Sequence, residues 1–195
     1  MRLTLVNRRR YPDVVQRREQ ILDVAARLFA ERGFHGVSVG DIGRAVGVSG
    51  PALYKHFDSK DAVLAEMLVA ISERLLTEGQ ERVARADGPA DALASLVDWH
   101  VEFALAQPSL IVVQDRDWQS LPAEARERVR ALQREYVELW ATQLRRRHPG
   151  LGRDRARAMA HATFGLLNST PHSSLLPPEA MRALLREMAL RSLDA

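Results

Sequence analysis

Apolar residues recur at helical spacing along almost the whole chain, and no stretch of strand length alternates apolar with polar side chains. That periodicity confines the chain to an all-α fold. Val37, Val39, Val46 and Val48 are β-branched, but glycines at 36, 40, 43 and 47 interrupt any strand there. The first helix is expected over Val14–Arg32, with Ile21, Leu22, Ala25, Leu28 and Phe29 on one stripe and Gly33 as its stop. Two short helices follow, Val39–Val46 capped by Ser38 and Gly50–Phe57 capped by Ser49, with Gly47 supplying the turn between them. Pro51 fits the first turn of the second, where a missing N–H costs nothing. Ser59 then caps a long helix reaching about Arg85. Further helices are expected near 89–106, 109–118, 122–148, 153–170 and 177–193, each delimited by proline or glycine, for nine in all.

The 195 residues are 46% apolar and 27% charged, enough for a sizeable core and unlike a disordered chain. The absence of cysteine excludes a disulfide scaffold, a cysteine zinc site and a thiol nucleophile. The longest aliphatic run, Leu110–Val113, is far too short to cross a bilayer, and the first ten residues lack a signal-peptide core. A cytoplasmic protein without membrane association is expected. Charge is unevenly distributed: residues 1–60 carry 11 Lys+Arg against 6 Asp+Glu, and the remainder 17 against 19. A basic head on a slightly acidic body points to a polyanion at one end. The division expected is a DNA-binding unit over 1–58, including an N-terminal arm, and a second unit over 59–195.

Residues 36–57 have the physics of a helix-turn-helix. Ile42, Val46, Val48, Leu53 and Phe57 form a shared apolar face, and the later helix projects Gly50, Ala52, Lys55 and His56 outward. Small residues at the start of that helix allow close entry into a major groove. Tyr54, Lys55, His56 and Lys60 are placed to reach phosphates. Arg8, Arg9 and Arg10, with Arg17 and Arg18, either track the DNA backbone or are simply solvated.

The ordered string from Arg17 to Leu64 resembles the TetR family of bacterial one-component regulators. The resemblance rests on Phe29-Ala30-Glu31-Arg32-Gly33-Phe34, on the turn Gly47-Val48-Ser49, and on Leu53-Tyr54-Lys55-His56-Phe57 continuing into Ser59-Lys60. It implies DNA contacts at Ser38, Val39, Gly40, Gly50, Pro51, Ala52, Tyr54, Lys55, His56 and Lys60, with Ser38 and Tyr54 on the backbone. Gly40 stands where many members carry a longer side chain, and Gly43 where alanine is usual. Gly50 and Ala52 cannot form bidentate base contacts, which leaves Lys55, apolar contact with thymine methyls, or DNA shape for reading sequence.

After the head, the resemblance implies a ligand-binding and dimerisation unit. Trp99 and Phe103, Trp118, and Tyr136 and Trp140 either line an apolar cavity or fill the core; the resemblance favours a pocket lined by some of them. The candidate ligand residues are Trp99, Phe103, Trp118, Tyr136, Trp140 and Asn168, with His100, Gln114 and His172 as further polar groups. The last two helices, bearing Ala156, Ala160, Thr163, Phe164 and Leu167, then Met181, Leu184, Leu185, Met188 and Leu190, are expected to pair with their copies in a homodimer on a roughly palindromic operator. Leu110–Trp118 and Gly165–Ser169 are similar to the TetR subgroup controlling fatty-acid or sterol breakdown, whose effectors are acyl-CoA thioesters. Arg116, Arg126, Arg130 and Arg134 are equal candidates for the CoA phosphates. The alternatives are an efflux or other catabolic regulator with a different effector, and a helical adaptor without specific DNA binding. No metal-binding spacing, nucleophile elbow or P-loop is present, so an enzyme, a cofactor and a metal are not expected.

Overall fold

The computed structural model describes residues 10–48, 53–173 and 175–194, with side chains from residue 16. Among these residues the secondary structure is entirely helical: α1 (Arg10–Arg32), α2 (Val39–Ala45), α3 (Lys60–Arg85), α4 (Pro89–Ala106), α5 (Pro108–Asp117), a 3-10 turn (Trp118–Ser120), α6 (Ala123–Arg147), α7 (Arg153–Leu167), α8 (Thr170–Ser173) and α9 (Pro178–Leu193).

Local chemistry accounts for most of the boundaries. Ser38 and Asp41 form a reciprocal capping box at the start of α2, each side chain satisfying the other's backbone N–H. The Ser59 hydroxyl accepts from the Ala62 N–H to open α3. Gly33 and Gly47 hold φ of 78° and 72°, a region in which a Cβ would be strained, so both turns depend on glycine. Of the helix expected over Gly50–Phe57, Leu53 is helical and Tyr54–His56 form a turn. Gly50, Pro51, Ala52, the Ser49 cap and the arm arginines Arg8 and Arg9 lie outside the described residues, as does the side chain of Arg10.

Two expected helices are each split. The segment near 109–118 ends as α-helix at Asp117 and tightens into the 3-10 turn, whose carbonyls at Gln119 and Leu121 accept from the Arg126 guanidinium. The segment 153–170 stops at Leu167, where Asn168 caps α7, and the short α8 begins at Thr170. The Thr170 hydroxyl donates to the Ala104 carbonyl at 2.7 Å, tying α8 to α4.

α3 belongs to two apolar cores. Its first turns (Val63, Leu64, Met67, Leu68) close the head against Ile21, Ala25 and Phe29 of α1, Ile42 of α2, and Leu53 and Phe57. Three residues from further along the chain, Val113, Leu121 and Val129, complete that head core. Beyond it, Leu76 joins a body core built on Leu96, Trp140, Leu144, Ala160, Leu167 and Leu185. Trp140 is wholly buried there, and a core side chain of that size is worth about 3–5 kcal/mol. α4 and the α5–3-10 segment meet at 83° across Gln107 and Pro108. That bend lays α5 between head and body.

Candidate DNA-binding face and ligand cavity

On the head, the side chains of Tyr54 and Lys55 stand in solvent, Tyr54 at 54% exposure, and His56 is half-buried. Ser38 and Gly40 are exposed and Val39 half-buried at the start of α2. The Ser38 hydroxyl accepts from the Asp41 N–H at 3.1 Å and donates to its carboxylate at 2.6 Å. These Ser38 hydrogen bonds hold the Asp41 carboxyl below the usual carboxylate range, with Arg44 beside it a smaller cause.

Lys60, expected at phosphates, and Arg18, weighed as tracking the DNA backbone or solvated, are both engaged by groups of the protein itself. The Lys60 ammonium donates to the carbonyls of Phe34 (2.8 Å) and Val37 (2.9 Å) and lies 4.2 Å from the centre of the Phe34 ring. It therefore pins the α1–α2 loop instead of reaching outward from α3. Arg18 makes a forked ion pair with Glu66, donates to the His56 carbonyl and covers the Phe57 ring. That pairing raises the Arg18 pKa, chiefly through the hydrogen bonds it donates to Glu66. Arg17 pairs locally with Gln20.

The loop Gly33–Val37 is held from the body as well. Arg116 donates to the carbonyls of Phe29 and Ala30 at the C-terminal end of α1, where a cation is favoured by the helix dipole. The neighbouring Asp117 carboxylate, 7% exposed, accepts from the Phe34 N–H at 3.3 Å. Ser120 meets His35 at 3.1 Å. Asp117 of α5, Ser120 of the 3-10 turn and Lys60 thus anchor the segment leading into α2 together.

The other face of α5 opens on a cavity of about 210 Å³ enclosed by α3, α4, α5, α6 and α7. Ile111 and Gln114 contribute from α5, Ser72 and Leu75 from α3, His100 and Phe103 from α4, Tyr136 from α6, and Phe164 from α7, and Asn168 lines it as well. Its lining contains no Asp, Glu, Lys or Arg. The rings of His100, Tyr136 and Phe164 lie within 16° of parallel at centroid separations of 5.0–5.9 Å, and Trp140 meets all three edge-on. Burial pushes the His100 pKa down to about 4, against a smaller upward pull from Asn168, so the imidazole is neutral at neutral pH. Burial likewise raises the Tyr136 hydroxyl, which stays protonated.

Of the six expected ligand residues, the cavity brings together Phe103, Tyr136 and Asn168, with Trp140 packed against its aromatic wall. Trp99 is turned to α3, where its indole N–H donates to the Leu75 carbonyl at 3.3 Å and the guanidinium groups of Arg74 and Arg82 cover its ring. Trp118 packs half-buried on the head core beside Arg130. Sequence reasoning missed Phe164, Gln133 and Ser72. Phe164 carried a signal, being the large aromatic in the small-residue run of α7.

Beside the cavity, sharing Gln133, Val137 and His161 with it, is a second recess whose walls include Arg130, Arg134 and Arg157. Arg130 and Arg134 face the single carboxylate of Glu127, at 3.9 and 3.0 Å, so the recess keeps positive charge. Of the four arginines weighed from sequence, Arg116 and Arg126 are occupied by backbone carbonyls, while Arg130 and Arg134 flank this recess. On the body, Leu184, Met188 and Leu176 of α9 and its approach are exposed, as are Ala158, Ala162 and Gly165 on α7. His172, on α8, is exposed. Among the described residues, no single helix is long and apolar enough to cross a membrane.

Comparison with known proteins agrees with both halves. Residues 21–67 match the family model described as bacterial regulatory proteins, tetR family, and residues 86–172 match the one described as tetracyclin repressor-like, C-terminal domain. The chain is similar to the HTH-type transcriptional repressor KstR2 of Rhodococcus jostii, 35% identical over 64% of this chain and 61% of that protein. It is also similar to KstR2 of Mycobacterium tuberculosis, 29% identical over 58% and 56%. These alignments span less than two thirds of those relatives' own length. A crystal structure of a TetR-family transcriptional regulator from Bordetella parapertussis superimposes with a TM-score of 0.80 at 28% identity, covering 90% of this chain and 93% of that one. With one model on the head, a second on the body and this shared architecture, the chain belongs to the TetR family of bacterial regulators.

Proposed function

We propose that this protein is a ligand-responsive transcriptional repressor that binds a near-palindromic operator as a homodimer and is released by a small, largely apolar effector held in the body cavity. The observation that carries the reading is the double duty of α5. Ile111 and Gln114 face the cavity, while Val113, Arg116 and Asp117 hold the head and the loop before α2. A ligand that shifts α5 moves the groups that orient the head. It must favour the released state by a few kcal/mol to shift the population substantially.

On the DNA side, Ser38, Val39 and Gly40 at the head of α2, and Gly50, Pro51, Ala52, Tyr54, Lys55 and His56 after the Gly47 turn, are the proposed contacts. Lys60 acts as a brace for them. The exposed Leu184 and Met188 of α9, together with the exposed small residues of α7, the helix it packs on, support a two-fold pairing of α7 and α9. The cationic recess beside an uncharged cavity supports an amphiphile with an anionic head, and an acyl-CoA thioester has that form. The Rhodococcus jostii relative's name as a repressor supports the sign of regulation. The uncharged cavity lining and the family's regulatory role favour binding over catalysis, in the cytoplasm.

The test is a competition binding assay with the DNA upstream of the gene, its scrambled counterpart, and a panel of acyl-CoA thioesters. The expected result is one dimer on an inverted repeat, displaced by a subset of the panel. Equal affinity for every duplex would contradict operator recognition and leave a helical adaptor.

A further inference from the structure

The aromatic wall of the cavity brings three hydrogen-bonding side chains, Tyr136, His100 and Asn168, into one chain. The Tyr136 hydroxyl lies 3.4 Å from His100 Nδ1, and His100 Nε2 lies 3.0 Å from Asn168 Oδ1. The Trp140 indole N–H approaches the Tyr136 oxygen without reaching hydrogen-bond geometry. Tyr136 keeps its proton, and His100 Nδ1 is the acceptor within its reach. With Tyr136 donating to Nδ1, Nε2 carries the one proton of the neutral imidazole and donates to Asn168 Oδ1. That assignment orients the carboxamide: its oxygen is consumed by His100, and its Nδ2, with two N–H donors, makes no protein hydrogen bond among the described residues. An amide group left with donors alone, in the lining of an uncharged aromatic cavity, selects a neutral acceptor.

We propose that Asn168, held in place by His100, reads the effector by donating from Nδ2 to a carbonyl oxygen on a neutral, flat portion of the ligand lying along the His100, Tyr136 and Phe164 rings. Asn168 is then the specificity-determining residue and His100 a positioning residue. This rests on the reading of the cavity as the effector site and names the chemistry it recognises. The near-parallel rings favour a flat group, and about 210 Å³ takes a single substituted ring comfortably, since about 150 Å³ suffices for benzene.

The test needs no DNA. Acetophenone and α-methylstyrene share shape and heavy-atom count and differ in a carbonyl oxygen against a methylene. Their affinities for the full-length protein are measured by ligand-observed NMR titration. Wild type is expected to prefer the ketone by about fivefold or more, one hydrogen bond's worth. In Asn168→Leu, with folding checked by circular dichroism, the ratio should fall to about one while α-methylstyrene still binds. His100→Leu should lower the ratio as well, and His100→Gln, whose amide can still donate to Asn168, should restore part of it. Equal affinities in wild type, or a preference that survives Asn168→Leu, would overturn the assignment and leave the cavity as a ligand site. Binding of neither probe would overturn the cavity reading, and this assignment with it.

Discussion

Replacing Asp117 with alanine tests whether α5 is mechanically joined to the head. The carboxylate is nearly buried and accepts from the Phe34 N–H at 3.3 Å, with Arg116 Nη2 3.4 Å away. In Asp117→Ala that N–H loses its acceptor, while Arg116 keeps its contacts with the end of α1. Leaving a buried donor without a charged acceptor costs about 1.5–3 kcal/mol. The length of this hydrogen bond argues for the lower half, about 1.5–2 kcal/mol. The side-chain exposure of Arg116, 43%, adds little to that through the ion pair. For a chain of this size the loss corresponds to a fall in Tm of about 3–8 °C. Urea unfolding measures the stability term. An operator-release titration with the effector measures coupling, which should weaken because the head no longer follows α5. Effector affinity itself should hold, since Asp117 is outside the cavity lining. A stability change under about 0.5 kcal/mol with an unaltered release curve would refute the argument.

Three further outcomes are expected. Gly79→Ala should destabilise by about 1–3 kcal/mol despite the gain in helix propensity, because a Cβ there would sit 2.9 Å from the Tyr136 ring, which is packed among His100, Phe164 and Trp140; chemical denaturation reads this directly. Lys60→Ala should lower stability yet leave the salt dependence of DNA binding unchanged, since its ammonium serves two carbonyls, whereas Lys55→Ala should reduce the slope of log affinity against log salt by about one. His100 binds a proton less readily folded than unfolded, so stability should be complete above about pH 6.5 and decline as pH falls toward about 4, a loss on the order of 3 kcal/mol; a His100→Gln protein should lack that component of the pH–stability curve.

The features written in local chemistry were legible in the sequence. Ser38 and Ser59 cap helices, Gly47 turns with positive φ, and prolines open α4, α5 and α9, because each depends on neighbours within a few residues. What failed to show depends on which element lies opposite. A helical wheel puts Trp99 on a buried face of α4 but cannot tell α3, with Arg74 and Arg82, from the cavity on the other side. Lys60 looks like a phosphate ligand in the linear motif; it turns inward because the α1–α2 loop presents two carbonyls to the start of α3. The stop of α7 at Leu167 falls short of the Pro171 that marks the join in sequence, and is closed by the Asn168 backbone N–H donating to the Phe164 and Leu166 carbonyls. The sharing of α5 between head and cavity is likewise tertiary, created by the bend at Gln107.

The most direct test of the account is thermodynamic linkage between its two ends. Operator affinity is measured by fluorescence anisotropy with and without saturating benzoyl-CoA or hexanoyl-CoA, and the affinity of the same thioester is measured with and without operator. The account predicts that at least one of these weakens DNA binding, and that the operator weakens that thioester by the same factor. A thioester that binds the cavity at full occupancy and leaves operator affinity untouched would contradict it.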